Sequence, residues 1–280
     1  VAGKSCGTLY LCATPIGNLE DITIRALTVL KECDLIAAED TRHTRKLLSH
    51  YDIHTRLISY HAHNEQRQGE RIIDMLLQGQ DVAVVSDAGM PGISDPGARL
   101  VELALEHGIP AVPVPGASAV IAGLVVSGLP TARFVFEGFL PSNKKGRRRH
   151  LEKIRGEQRT MVFYESPHRL LETLRDMCSK FGGDRQIAVA RELTKKHEEI
   201  YRGSLHLAVS HFEKVPPRGE FTLVVAGSRE EDRAESFADL PVVDHVNRLI
   251  ATGMDKKQAI KEVAKLRGMP KRDVYKAVEQ

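Results

Sequence analysis

Residues Asp81–Gly108, DVAVVSDAGMPGISDPGARLVELALEHG, decide the fold. DVAVVS is a short apolar run rich in valine, the composition of a strand buried on both faces. A loop dense in Gly and Pro follows it, and Gly97–His107 then reads as an amphipathic helix. Strand, loop and helix in that order are the unit of a parallel sheet, because parallel neighbours need a long crossover. The same alternation extends outward on both sides. Thr8–Ala13, Asp34–Ala38, Arg56–Ser59 and Ala111–Val114 read as strands, and Thr23–Lys31, Thr41–Ser49, Glu65–Leu77 and Ala117–Val126 as helices. Residues 1–128 are therefore expected to form an α/β domain whose mainly parallel sheet is covered on both faces. Such sheets bind ligands beyond the carboxyl ends of their strands.

A second α/β domain is expected over residues 129–228, after a hinge at Gly128-Leu129-Pro130. Its strands begin near Arg133 (RFVFEGFLP) and continue at Thr160–Tyr164, Gln186–Arg191, His197–Arg202 and Glu220–Ala226. Helical patterns fall at Lys145–Ile154, Pro167–Lys180 and Ser204–His211. Residues 229–240 are acidic and polar and read as a linker to a tail, 241–280. In the tail, Val242, Val243, Val246, Leu249 and Ile250 make one helical stripe, and Ala259, Ile260, Val263, Ala264 and Leu266 a second. Gly268 stops that helix and Pro270 suits the first turn of a third, which gives a helix-turn-helix-like unit.

The chain has 280 residues, 42% hydrophobic and 28% charged, the composition of a globular protein rather than a disordered or collagen-like one. Its longest nearly apolar stretch, Ala117–Leu129, is too short to span a bilayer, and the first residues carry no apolar signal core. The four cysteines form no CxxC pair and no disulfide framework, which predicts a reducing, cytoplasmic setting.

Several strand ends carry unusual chemistry. SDAGMPGISDPGA (Ser86–Ala98) packs three glycines, two prolines and two aspartates behind an apolar strand, so backbone amides and the Asp87 carboxylate are offered to a ligand. ATPIGNLED (Ala13–Asp21) is either a plain strand-to-helix turn or a second close approach to that ligand. In AEDTR (Ala38–Arg42), Asp40 is either catalytic or the cap of the next helix. Ala117, Ser118 and Ala119 leave room for a flat ring, or for close helix–sheet packing. FYESPHR (Phe163–Arg169) and RELTKKHEE (Arg191–Glu199) place Glu165, His168, Arg169, Arg191, Glu192 and Lys195 where they either converge on the first domain's crevice or form surface ion pairs. No GxGxxG follows the first strand, and GxxxxGK[ST] and GxSxG are absent, which disfavours a dinucleotide site, a P-loop and a serine hydrolase. His61 and His63 share a strand-like spacing, but with no further ligands nearby no metal is expected.

Taken together, TPIGNLEDIT, AEDTRHT, HAHNE, SDAGMPGISDPG, VPGASA, FEGFLP, FYESPHR, ARELTK and GEFTLV, in this order between Leu9 and Ala226, resemble the tetrapyrrole-methylase superfamily. Within it they resemble the branch that methylates a ribose 2′-oxygen of a decoding-site cytidine in 16S ribosomal RNA. The resemblance implies a two-domain α/β fold with a mainly parallel first sheet, a mixed second sheet and a small helical tail. It also implies S-adenosylmethionine as methyl donor in a cleft between the domains, and a homodimer. Donor contacts carry over to Pro15, Asp87, Ala88, Gly89, Ile93, Ser118 and Ala119, and in the second domain to Tyr164, Leu193 and Gly219. Three positions depart from the family's habit: Met90 where Thr is more usual, Ala62 where Glu is, and Ala117 where Pro is.

Methyl transfer to a hydroxyl needs alignment of the reactants and an acceptor for the proton. Glu39, Asp40, His63, Glu165 and Lys195 are the candidates. The formal charge of +3 hides a separation: Asn143–Arg159 carries +6 and Asp255–Gln280 carries +4, leaving −7 on the rest of the chain. Lys144, Lys145, Arg147, Arg148, Arg149, Lys271 and Arg272 are therefore expected to meet the phosphates of small-subunit ribosomal RNA, free or in the 30S subunit. Carbon methylation of a tetrapyrrole precursor, which needs no such patches, and a non-catalytic regulator that senses a metabolite and binds DNA are the competing readings.

Overall fold

The computed structural model describes residues 6–228, 241–251 and 253–279. The expected linker 229–240 lies outside them.

Two five-stranded sheets organise the chain. The first is wholly parallel, in the order β3-β2-β4-β1-β5, built from β1 (Leu9–Cys12), β2 (Leu35–Ala38), β3 (Leu57–Ser59), β4 (Val82–Val85) and β5 (Ala111–Val114). Its central strands β2 and β4, LIAA and VAVV, are buried at every position, as their unbroken apolar runs require. Pro113 sits in β5 at the sheet edge, where its missing N–H costs no ladder bond to a further strand. Helices α1 (Ile24–Glu32), α2 (Thr41–His50), α3 (Glu65–Leu77), α4 (Ala98–Glu106) and α5 (Ala119–Val126) connect or follow the strands. Thr23 caps α1, its hydroxyl accepting from the Ala26 N–H at 3.1 Å, and Asp40 caps α2 by accepting from the Arg42 N–H at 2.8 Å. One apolar cluster, including Leu9, Leu35, Ile72, Leu76 and Leu100, lies on one face of the sheet; a second, with Leu30, Ile36, Leu48 and Val85, lies on the other.

The second sheet is mixed, in the order β6-β7-β10-β8-β9: β6 (Phe134–Phe139) runs parallel to β7 (Thr160–Glu165), and β10 (Phe221–Val225), β8 (Gln186–Arg191) and β9 (Glu199–Ser204) add antiparallel ladders. Helices α6 (Lys144–Ile154), α7 (Leu170–Phe181) and α8 (Leu205–Lys214) cover one face over Leu151, Phe163, Leu174, Leu205 and Leu223. The other face is covered by α5, so a helix that begins in the first unit closes the core of the second. Gly123 makes that approach possible: a Cβ there would lie 2.9 Å from Thr222 Cγ2.

In the tail, α9 (Val242–Ala251), α10 (Lys256–Leu266) and α11 (Lys271–Val278) enclose a small core of Val246, Ile260, Val263 and Val274. Among the described residues no helix is long and apolar enough to cross a membrane. All four cysteines are free, and burial pushes the Cys12 thiol up to about 12 and Cys33 to about 11, which leaves both unreactive near neutrality.

Candidate active site

A cleft of about 380 Å³ opens between the two sheets. The first sheet contributes the residues just past the carboxyl ends of its strands: Ile16 after β1, Glu39 after β2, Asp87–Met90 and Ile93–Asp95 after β4, and Ser118 and Ala119 after β5. This is the position where parallel sheets present ligand-binding loops. The second sheet contributes Phe139, Tyr164–Pro167, Ala190, Leu193 and Glu220–Thr222.

The loop after β4 is held in an unusual conformation. Gly89 has φ +84° and exchanges two backbone hydrogen bonds with Thr14, at 2.9 and 3.1 Å, so the loop is pinned to the end of β1. Ser94 takes φ +62° although it is not glycine, a strained choice of the kind found where a side chain must be aimed. Asp87 Oδ1 accepts the Asp40 N–H at 3.0 Å, which ties the loop to the end of β2. Across the cleft, β6 breaks register between Phe136 and Gly138, and Gly138 has φ +62°. That bulge turns Phe139 to the cleft, where it packs 5.5 Å from the Tyr164 ring and stays 55% exposed.

Leu193 is set by a second strained turn. Its neighbours Glu192 and Thr194 take φ +49° and +65° without being glycine. The turn is clasped to the first unit: the Asn18 N–H donates to Thr194 Oγ1 at 3.1 Å, and a Cβ on Gly17 would lie 2.3 Å from Lys195 Cγ. Lys195 Nζ bridges Glu192 and Glu220, 3.0 Å from each.

The wall carries Glu39, Asp87, Asp95, Glu165 and Glu220, and no Lys or Arg. Burial and then the charge of Glu39 push Asp95 up to about 6, against a hydrogen bond from Ser86. Burial and the charge of Asp87 raise Glu39 in turn, and burial followed by the charge of Asp95 raises the Tyr164 phenol. A cleft of this kind favours a cation with an apolar body: the carboxylates stabilise positive charge, while Ile16, Ile93, Ala190 and Leu193 accept apolar surface. Among the described residues no group of three or more His, Cys, Asp or Glu is arranged to hold a metal ion.

Asp87, Ala88, Gly89, Ile93, Ser118, Ala119, Tyr164 and Leu193 lie on this wall, as do Glu39 and Glu165. Pro15 is buried beside it, and Gly219 (φ +84°) stands behind Glu192, whose carboxyl occupies the space a Cβ would need. Three proton-acceptor candidates fall elsewhere. Asp40 caps α2, and hydrogen bonds from the Arg42 side chain and N–H hold it well below the usual carboxylate range. His63 is exposed, edge-on to His61, and Lys195 is in the clasp. Glu165 reaches the wall but is already engaged, accepting from the Ser166 N–H at 2.8 Å and the Thr173 hydroxyl at 2.6 Å.

The expectation for Arg147 requires correction. It is 1% exposed, with Nε donating to Asp176 at 2.8 Å and a terminal nitrogen 3.1 Å from Glu172, so it braces α6 on α7 and offers no charge to a phosphate. Arg148 is half-exposed and shares Asp176 at 2.7 Å. Lys144, Lys145, Arg149, Lys271 and Arg272 are exposed. Sequence reasoning missed Asp95, Ser94, Phe139, Ala190 and Thr222 on the wall. Asp95 was within reach as the second aspartate of the Gly/Pro-rich loop.

Comparison with known proteins places the chain. The family described as "Tetrapyrrole (Corrin/Porphyrin) Methylases" matches residues 8–208. A protein of Halalkalibacterium halodurans named "Ribosomal RNA small subunit methyltransferase I" is 52% identical over 98% of this chain and 95% of its own length. The Bacillus subtilis protein of the same name is 48% identical over 98% and 95%. Among solved structures, a cobalt precorrin-4 methyltransferase superposes with TM-score 0.59 at 15% identity, covering 78% of this chain and 94% of that one. A Thermus thermophilus uroporphyrin-III C-methyltransferase complexed with S-adenyl homocysteine does so with TM-score 0.56 at 20% identity, covering 79% and 97%.

Proposed function

The chain belongs to the tetrapyrrole (corrin/porphyrin) methylases, and from that membership we propose that it transfers a methyl group from S-adenosylmethionine to the ribose 2′-oxygen of a decoding-site cytidine in small-subunit ribosomal RNA. The observation that carries the reading is near full-length alignment, tail included, with relatives named for methylation of small-subunit ribosomal RNA. The donor, when bound, supplies a methyl activated by a sulfonium.

The residues present fit that donor. Five carboxylates and no cation on the wall favour a sulfonium and an ammonium, and the small residues Gly89, Ser118 and Ala119 on the same wall leave room for a flat base. Met90 takes part through this same loop, whose contacts to Thr14 are made by the backbone of Gly89 and do not need a hydroxyl at position 90. Phe139, half out of the cleft, offers a face on which an unstacked base can lie. Lys144, Lys145 and Arg149 on α6 make no ion pair with a described residue, and with Lys271 and Arg272 of the tail they supply the phosphate contacts. A cytoplasmic setting and a homodimer complete the reading; Ile121 and Val125 on the outer side of α5 give apolar surface for the dimer, whose mass light scattering measures.

The test uses labelled S-adenosylmethionine with 30S subunits, naked 16S RNA and a tetrapyrrole precursor side by side. Label in an RNA ribose is expected. Label in the tetrapyrrole alone, or none while the donor binds, contradicts the reading and favours a corrin-type methylase or a regulator.

A further inference from the structure

The cleft is not isolated. A second depression, about 520 Å³, lies beside it and is lined by Ala62, Glu65, Arg99 and Glu102. The two share three residues, Glu39, Ser94 and Asp95. A group transfer between two molecules needs a place that both can reach, and only side chains common to both hollows can touch both reactants. Ser94 has no basic atom of useful strength. Glu39 accepts a hydrogen bond from the Asp87 backbone and Asp95 one from the Ser86 side chain, so the two carboxylates differ in how they are held rather than in being engaged. Asp95 stands between the left-handed Ser94 and the fixed Pro96-Gly97 turn, so its carboxylate is aimed by the backbone rather than by a flexible side chain.

Resting on the methyl-transfer reading, we propose that Asp95 is the catalytic base, taking the proton of the acceptor hydroxyl at the junction of the donor cleft and a second hollow that seats the acceptor nucleoside. In this step the hydroxyl oxygen bonds to the methyl carbon, the carbon–sulfur bond breaks with its electron pair going to sulfur, and the hydroxyl proton goes to Asp95. The groups that face Asp95 are Glu39 and Asp87 from the first sheet, Glu65, Arg99 and Glu102 around the second hollow, and Tyr164, Glu165 and Glu220 across the cleft. His61 adds a weak opposing influence through Glu39. Burial first, and then the charges of Glu39 and Asp87, make Asp95 a stronger base than an exposed aspartate, and at about 6 it remains mostly ionised at neutral pH.

Asp95→Asn and Asp95→Ala are measured in the full-length protein. Single-turnover methylation of 30S subunits, measured at donor concentrations shown by calorimetry to saturate each variant, is expected to fall about 100-fold or more. Carbon-13 carboxyl titration of the donor-free parent reads the ionisation of Asp95 directly, and Glu39→Gln moves that midpoint, and the inflection of the rate–pH profile, to lower pH. Two results overturn the proposal: either Asp95 variant methylating within threefold of the parent, or a Glu39→Gln profile with an unmoved inflection. A parent protein that methylates no RNA ribose overturns the reading beneath it and the proposal together.

Discussion

Two regions of this molecule are dense in charge, and they treat it differently. In α6 the charge is partly spent: Arg147 is buried on Asp176 and Glu172, Arg148 shares Asp176, and only the outward residues remain open. Burial raises Asp176, but hydrogen bonds from Arg148 and Arg147 outweigh it and hold the carboxylate below its ordinary range. The cleft wall is the opposite. Glu39 and Asp95 lie close together with no cation on the wall, and both are raised by burial and by neighbouring carboxylates. Charge that finds a partner inside the chain stabilises the fold; charge left without one is what a ligand can use.

The largest effect expected from breaking this contrast is on stability. Arg147→Ala removes the buried guanidinium that braces α6 on α7, leaving Asp176 with only the half-exposed Arg148, and is expected to cost about 3 kcal/mol in chemical denaturation, whereas Arg149→Ala, two residues on, changes stability by less than about 0.5 kcal/mol. Gly89→Ala comes next. At φ +84° an added Cβ costs about 1–2 kcal/mol, and because the pinned loop shifts, donor affinity is expected to fall at least tenfold, read by calorimetry.

A smaller effect has the opposite sign. Asp95 is an acid raised in the folded state, so between its unfolded value of 3.8 and about 6 the native chain binds more protons than the unfolded one and stability falls as pH rises. Asp95→Asn removes that loss. Allowing for the partial exposure of the site, it is expected to stabilise the protein by about 1 kcal/mol at neutral pH and by nothing near pH 4, checked by denaturation at both values. Stabilisation joined to loss of turnover marks a group kept for function.

How far the sequence reveals this contrast follows from how local each feature is. The strands are legible because LIAA, VAVV and FTLVV are apolar runs bounded by Gly, Pro and polar turns, and α3 has the residues expected for it. Buried Arg147 is half legible. It lies four residues from Leu151 and seven from Ile154, on the stripe that packs α6 inward, but in KKGRRRH its charge masks that position. Asp95 is visible as the second aspartate of the Gly/Pro-rich loop, but in SDPG an aspartate reads as a turn former, and only the fold brings it beside Glu39. The bulge at Gly138 that turns Phe139 to the cleft depends on pairing with β7, which local sequence does not encode.

The most direct test of the division between acidic cleft and open basic face is a pair of titrations on one variant, Lys144→Gln/Lys145→Gln/Arg149→Gln. Affinity for 16S RNA is expected to fall and the slope of log K against log salt to lessen by about 2–3, while S-adenosylmethionine binds as in the parent. Unchanged RNA binding, or a parallel loss of donor affinity, would contradict the account.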